Sequence, residues 1–293
     1  MTAHTLTDKE LEKIEKRIAL IYKEAEKSVQ KKADEYFKKF EKADAEKRKL
    51  VEQGKLTEGE YAHWRRGKIL YGKRYKNLKE NIANAILKTN QEATDYINGE
   101  LPGIYTINYN QLERDVEGIE GYMFELVDED TVRILAEEDP ELLPYKSIDP
   151  DADIAWNKKN INTQILQGVL EGESIDKIAD RIMHVQDMNR KAALRTARTI
   201  ITAAENKGRQ DSYERAKADG IVLKKEWLSS AQPGRTRDWH LPSAFSSLTV
   251  DIEKPFSNDL GLIMYPGDPG AHPANVYNCR CSMKAKVMGF KKV

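Results

Sequence analysis

The stretch that decides the fold of the N-terminal part is TDKELEKIEKRIALIYKEAEKSVQKKADEYFKKFEKA, residues 7–43. Apolar or aromatic residues recur in it at every third or fourth position, which places them on one face of an α-helix. Thr7 and Glu10 have the spacing of a capping box, so we expect one long helix that begins there, ends at Gly54 and buries this stripe. The stripe comprises Leu11, Ile14, Ile18, Ile21, Ala25, Val29, Ala33, Tyr36, Phe40 and Ala43.

A second helix is predicted to follow and to fold back on the first. Thr57 and Glu60 repeat the capping-box spacing, and helical periodicity then continues, with weak points at Gly67 and Gly72, to Gly99 and Pro102. An antiparallel pair of helices can bury both apolar stripes against each other. We therefore expect residues 1–100 to form a helical hairpin that is similar to a coiled coil.

Residues 101–152 are expected to form an acidic connecting region. Although the whole chain has 48 basic and 48 acidic residues, the segment 101–160 holds fifteen Asp and Glu against five Lys and Arg. Helical periodicity is broken here, and residues 104–107, Ile-Tyr-Thr-Ile, are interpreted as a short strand. A chain with such opposed charge blocks can bind partners of either sign.

The remaining residues, 153–293, are predicted to form one domain in two parts. Helical periodicity returns in residues 153–219, with separate helices expected to begin near Asp153, Ser174 and Asn189. Residues 220–293 hold six of the ten prolines, which is typical of short strands and loops. The predicted fold class is therefore mainly α, with a long N-terminal helical hairpin and a small α+β C-terminal domain.

Several classes of protein are excluded or disfavoured by the sequence. No apolar run approaches the ~18 residues that a membrane-spanning helix requires, and the N-terminus lacks the pattern of a signal peptide. Cys279 and Cys281 are the only cysteines, so no disulfide framework is expected. We expect the protein to be in a reducing compartment such as the cytosol. The phosphate-loop, dinucleotide-binding, zinc-protease and serine-hydrolase motifs are all missing, so we predict no catalytic residue and a protein that is not an enzyme.

Two cysteines and two histidines in the C-terminal region are candidate metal ligands. Thiolate and imidazole groups suit zinc, and His240, His272, Cys279 and Cys281 could supply the four ligands of a closed structural site. The C-x-C spacing argues against it, since the two cysteines of a structural zinc site usually have two to four residues between them. Two buried free thiols without a metal are the alternative interpretation.

A basic segment at residues 63–79 is the clearest binding signal. It contains seven Lys or Arg and no acidic residue, together with Trp64, Tyr71 and Tyr75, which could stack on bases or anchor the segment. The same charges could instead dock on the acidic middle of the chain or on another subunit. The candidate nucleic-acid-binding residues are Arg65, Arg66, Lys68, Lys73, Arg74, Lys76 and Lys79.

The C-terminal half resembles the Mu F-like family of phage minor head, or head morphogenesis, proteins. Five motifs occur in the order typical of that family within about residues 160–287: a helix rich in Arg and Thr, the segment around Trp227, an Arg-x-x-His turn, a Pro-Gly-Asp-Pro turn and a terminal Asn-Cys-Arg-Cys. The residues that carry this resemblance are Arg195, Arg198, Arg237, His240, Asp268, Asn278, Cys279, Arg280 and Cys281.

The resemblance implies a minor capsid protein of a tailed phage. Such a protein would be bound inside the procapsid at the portal protein, beside scaffold or major capsid protein, and would contact phage DNA during assembly, packaging or ejection. It would be found in the host cytoplasm during assembly and in the virion interior afterwards, without a membrane partner. Two alternatives stay open: a zinc-dependent hydrolase or transferase that uses His240 and the cysteines, and a general DNA-binding protein that uses the basic segment.

Overall fold

A computed structural model describes residues 3–116, 124–230 and 236–290, and in them the predicted fold class is confirmed. Long helices dominate the chain, and short strands follow at its C-terminal end. The helices are α1 (Ala3–Glu52), α2 (Glu58–Ile69), α3 (Lys73–Tyr109), α4 (Gln111–Asp115), α5 (Glu129–Glu138), α6 (Pro150–Leu170), α7 (Ile175–Ala218) and α8 (Pro273–Val276). The strands are β1 (Ile221–Leu228), β2 (Thr249–Asp251), β3 (Phe256–Asn258), β4 (Gly261–Ile263) and β5 (Ser282–Phe290).

The chain divides into two compact units, and each is built from separate segments. The helical unit consists of Arg17–Asp95 and Ser147–Ala193, and the mixed unit consists of Met1–Lys16, Tyr96–Lys146 and Leu194–Val293. These units group residues by contact, whereas the expected division at residues 100 and 152 follows composition and sequence order. That division stays a prediction.

The core of the helical unit explains why the N-terminal stripe is apolar. Val29, Ala33 and Phe37 of α1 are buried together with Ile82 of α3. The same cluster contains Ile161, Ile165 and Val169 from α6 and Ile175 to Val185 from α7. The cluster also contains Ile69 of α2, so the stripe shares its core with four other helices and not only with the second helix of the expected hairpin. Each fully buried Val, Ile or Phe side chain in this cluster stabilises the unit by roughly 1.5–3 kcal/mol through its removal from water.

One of the two predicted capping boxes is formed. Thr57 precedes α2, its Oγ1 accepts a hydrogen bond from the Glu60 backbone N–H at 3.2 Å, and the Glu60 carboxylate accepts one from the Thr57 N–H at 2.9 Å. The helix start predicted at Thr7 is wrong, because α1 already includes Ala3. Thr7 is buried inside that helix, where its hydroxyl accepts a hydrogen bond from the Asn108 side chain.

Three further expectations about helix boundaries are wrong. The second helix is interrupted before Lys73, where Gly72 adopts φ +93°, a left-handed conformation that favours glycine. The third helix, α3, continues through Pro102 to Tyr109, so residues 104–107 are helical and not a strand. The helices expected from Ser174 and from Asn189 are one continuous helix, α7, because neither Gly nor Pro interrupts residues 183–188.

The sheet of the mixed unit has three antiparallel strands in the order β2-β1-β5, and β3 and β4 form a separate hairpin. Inward-facing residues alternate along β1, and Leu223 and Trp227 are buried with Phe245, Phe256 and Met283. Among the described residues, no helix combines the length and the apolar character that crossing a bilayer requires.

A glycine sets the approach of α7 to α3 within the mixed unit. A Cβ atom placed on Gly208 would lie 2.6 Å from the backbone oxygen of Tyr105. This is far below van der Waals contact, so any side chain at position 208 would push two helix backbones apart. The close approach also brings the Tyr105 hydroxyl to the Asp211 carboxylate, with a hydrogen bond of 2.7 Å.

We therefore expect Gly208→Ala to lower the free energy of unfolding by about 1–3 kcal/mol, the usual cost of overpacking. Gly99→Ala is the matched control, since Gly99 also lies in a helix but has no atom within 4 Å of an added Cβ. That control should raise the stability by about 0.5–1 kcal/mol through better helix propensity. Urea titrations followed by circular dichroism measure both, and equal stabilities of the two variants would contradict the close approach.

Candidate functional site

A ladder of three buried side chains on α7 holds the segment that contains both cysteines. The Thr202 hydroxyl donates to the carbonyl oxygen of Cys279 at 2.7 Å, and the Asn206 amide donates to that of Cys281 at 3.3 Å. The Arg209 guanidinium donates to the carbonyl oxygen of residue 283 at 2.7 Å. The three side chains are four and three positions apart in α7, so they lie on one face of the helix. The three carbonyl groups are two positions apart in an extended segment, so they point to one side, and each helix side chain meets one carbonyl group.

The backbone bends immediately before the two cysteines. Asn278 adopts φ 56°, and β5 begins only at Ser282, so residues 279–281 are not part of a regular strand. In this conformation the sulfur atoms of Cys279 and Cys281 both lie 3.6 Å from Nδ1 of His240. Side chains two positions apart in an extended segment share one face, so the C-x-C spacing is compatible with this convergence.

His240 is held from its other ring nitrogen. It ends a short 3₁₀ helix (Asp238–His240), and its Nε2 lies 3.3 Å from the amide oxygen of Asn275. The same oxygen accepts a hydrogen bond from the Asn258 side chain at 3.1 Å. Because an amide oxygen only accepts, Nε2 carries a proton, and Nδ1 is the ring nitrogen that faces the two sulfur atoms.

The two thiols differ in acidity although both are buried. The Cys279 thiol donates a hydrogen bond toward Cys281, which together with His240 and the Ser230 backbone lowers the pKa of Cys281 to about 5. The same pairing, with burial, raises the pKa of Cys279 well above its usual value. The pairing therefore makes Cys281 the more acidic of the two thiols. A nearby imidazole and thiolate are a set of groups that binds soft metal ions.

The cluster opens onto a pocket of about 320 Å³ whose wall includes arginines of the expected family motif. Arg237 donates to the carbonyl oxygen of Ala274 at 2.6 Å and to that of Tyr277. Arg198 and Arg280 both approach the Glu15 carboxylate, at 2.6 and 3.3 Å. These arginines give the pocket a positive rim that is partly neutralised by one carboxylate.

The other predicted motif residues have structural positions or lie at the surface. The Asp268 carboxylate accepts hydrogen bonds from the backbone N–H groups of Met264 and Gly270 and so fixes a turn. The Asn278 N–H donates to the Thr199 hydroxyl at 2.9 Å. Arg195 is exposed on α7.

His272 is not part of the cluster, which corrects the predicted set of four zinc ligands. Its exposed side chain caps α8, with Nδ1 accepting from the Ala274 N–H at 3.3 Å. Within the part of the chain that the structure describes, the ligand atoms that converge are those of His240, Cys279 and Cys281. They all lie within 4.8 Å of one another.

Arg65 is wrongly included in the predicted nucleic-acid-binding set. Its side chain is 1% exposed, lies 2.8 Å from the Asp44 carboxylate and donates to the Glu173 carbonyl oxygen at 2.6 Å. A buried arginine with such partners stabilises the helical unit and cannot reach a phosphate. Nothing in the residue pattern of the segment 63–79 distinguishes Arg65 from the other cations, because the partners of Arg65 lie outside this segment.

The other six cations of the set differ in exposure. Lys79 is half-buried, with Nζ lying 4.6 Å from the centre of the Tyr75 ring and 3.3 Å from Asn162 Oδ1. The remaining five side chains are exposed at the end of α2 and the start of α3: Arg66, Lys68, Lys73, Arg74 and Lys76. We call these five the basic surface.

Residues 159–284 match the sequence profile of the family described as Phage Mu protein F like protein. The resemblance of this part of the chain to the Mu F-like family is thereby confirmed. The matched residues include the α7 ladder, the His240 cluster and the arginines of the pocket.

Two curated proteins are similar to parts of this chain. The NAD(+)-arginine ADP-ribosyltransferase EFV of Enterococcus faecalis is 32% identical over 132 residues, which are 45% of this chain and 26% of that protein. The uncharacterized protein YqbB of Bacillus subtilis is 26% identical over 191 residues, which are 58% of this chain and 61% of that protein. The chain thus spans only part of the length of either relative. No solved structure matches the chain significantly.

Sequence reasoning found the Mu F-like cysteines and His240 but missed the groups that position them. Asn258 and Asn275 orient His240, yet single asparagines in a loop-rich region carry no distinctive spacing. The α7 ladder had a detectable signal, since Thr202, Asn206 and Arg209 are polar residues at helical spacing on a face that also carries apolar side chains.

We expect Arg237→Lys to lower the free energy of unfolding by about 1–2 kcal/mol, because a single ammonium cannot reproduce a guanidinium that bonds two carbonyl groups. Arg195→Lys, at an exposed position of the same motif set, should change it by less than about 0.5 kcal/mol. Urea titration of both variants checks this. If the two substitutions have the same effect, Arg237 does not brace the loop.

Proposed function

We propose that the chain is a minor capsid protein that acts in head morphogenesis, bound inside the procapsid at the portal protein. The observation that carries this proposal is the Mu F-like match of residues 159–284. Under this proposal, the protein is present in the host cytoplasm during assembly and then inside the virion, with scaffold or major capsid protein as its neighbours. We assign the His240 cluster a structural role and no catalytic step.

The mixed unit supports a docking role through its rigidity. Cys279, Cys281 and the carbonyl of Met283 are fixed on α7 by buried hydrogen bonds, and Arg237 braces the loop before α8. A site built on such fixed elements can present a constant surface to an assembling partner. We therefore place the portal contact on the mixed unit.

Co-expression with the portal subunit of the same phage tests the assembly role. We expect the full chain to sediment with the portal ring on a gradient at low and at moderate salt, because a specific interface depends on packing as well as charge. A chain that stays at the top of both gradients would contradict portal binding. A chain that sediments with the portal only at low salt would also count against it, since that behaviour indicates nonspecific charge attraction.

Contact with phage DNA is the second part of the proposed function, and the basic surface supports it. Its five cations are exposed on consecutive helix ends, and no acidic residue lies in the segment 63–79. Exposed Lys and Arg neutralise phosphates and release counterions, which gives binding without base specificity. The acidic segment 101–160 can bind a basic protein partner instead of DNA.

If the five cations each meet one phosphate, log affinity for duplex DNA should fall with log salt at a slope near about −4.5, at roughly −0.9 per contact. The triple variant Lys73→Glu, Arg74→Glu and Lys76→Glu should bind more weakly and reduce the slope to about −2. Fluorescence anisotropy with a labelled duplex over a salt series measures both quantities.

A matched triple variant on α1, Lys38→Glu, Lys39→Glu and Lys42→Glu, carries the same change of charge at other exposed positions of the helical unit. It should keep the slope of the original chain. Equal losses in the two triple variants would show that net charge, and not the basic surface, determines binding.

A further inference from the structure

The three groups that converge at His240 have the separations of ligands around one tetrahedral metal ion. Zinc is typically bound with Zn–N of about 2.0–2.1 Å and Zn–S of about 2.3 Å, so tetrahedral angles place N and S about 3.5 Å apart. Nδ1 of His240 lies 3.6 Å from the sulfur of Cys279 and 3.6 Å from that of Cys281. Two independent distances therefore agree with the same coordination geometry.

The surroundings of the three atoms also suit a metal ion. The Nε2–H of His240 is donated to the Asn275 amide oxygen, which leaves Nδ1 free to coordinate and fixes the plane of the ring. The backbone N–H of Cys281 donates to the sulfur of Cys279 at 3.4 Å, an interaction that stabilises a metal-bound thiolate. All three side chains are buried.

We propose that the mixed unit binds one zinc ion through Nδ1 of His240 and the sulfur atoms of Cys279 and Cys281. The fourth coordination position faces the pocket that these three residues line with Ser230, Thr236 and Arg237, and it is taken by a water molecule. The ligand set differs from the one expected from the sequence, because His272 is replaced by this open position.

The zinc ion would add a further link between two segments of the mixed unit. His240 belongs to the short helix before the β2 to β4 region, and the cysteines belong to the segment anchored on α7. A metal ion between them closes a loop of about forty residues, and binding to the folded state alone stabilises that state. This site is independent of the proposed role in the phage head.

The test uses the full chain, freed from any affinity tag and purified under reducing conditions without chelator. Elemental analysis by mass spectrometry should give about one zinc ion per chain. Cobalt that replaces the zinc should show the intense ligand-field bands of a tetrahedral site and thiolate-to-metal charge transfer. Removal of the metal by a chelator should lower the melting temperature, and added zinc should restore it.

Variants assign the ligands. The variants Cys279→Ser and His240→Ala should each bind zinc at least about tenfold more weakly. This factor is the lower end of the range for removal of a group that binds or orients a metal ion, about tenfold. His272→Ala is the matched control, since it removes an imidazole that caps α8 outside the cluster, and it should keep one zinc ion. If either ligand variant fails to fold, the cobalt spectrum of the unaltered chain still decides whether thiolates bind the metal.

Three results would overturn the site. The first is an unaltered chain that holds no zinc after incubation with zinc and buffer exchange. The second is loss of zinc in His272→Ala with retention in Cys279→Ser. The third is a cobalt complex without thiolate charge transfer, which would place the metal elsewhere on the chain.

Discussion

The mixed unit depends on hydrogen bonds between side chains that repeat along one face of a helix and carbonyl groups that repeat along an extended segment. Thr202, Asn206 and Arg209 repeat along one face of α7, and the carbonyl groups that they bind repeat at every second residue of the segment 279–283. Each of the three side chains is at least 95% buried. A buried donor that lost its carbonyl partner would cost about 1–3 kcal/mol, so the segment is stable in only one register against α7. The positions of both cysteines, and hence the geometry at His240, follow from that register.

Much of the helical architecture could be predicted because it depends on local signals. The stripe from Ile14 to Tyr36 is buried as its spacing indicates, and Thr57 caps α2 as its motif indicates. The errors arose where tertiary contacts override local preferences. Pro102 lies inside α3, and the next turns are helical because Tyr105 packs against the backbone at Gly208, a contact between residues a hundred positions apart. Sequence periodicity carries no information about such pairs.

The candidate site was predictable in its residue types and not in its geometry. Cysteine and histidine are rare in this chain, so the sequence indicated a candidate metal site made of His240, His272, Cys279 and Cys281, with two buried free thiols as the alternative. Whether a given histidine belongs to it depends on a bend at Asn278 and on the loop before α8, which excludes His272. The same limit explains the basic segment. Composition selected it, but only the packing of Arg65 on Asp44 distinguishes a structural cation from the exposed ones.

The most direct test of the α7 ladder is the rate at which Cys279 and Cys281 are alkylated in the metal-free chain. Asn206→Leu keeps the size of the side chain but removes the donor to the Cys281 carbonyl, so the segment should open at least about tenfold more often and alkylation should quicken by the same factor. Asn160→Leu, which removes a bond to Trp156 within α6, should leave the rate unchanged. Equal alkylation rates in the Asn206→Leu variant and the original chain would contradict the account.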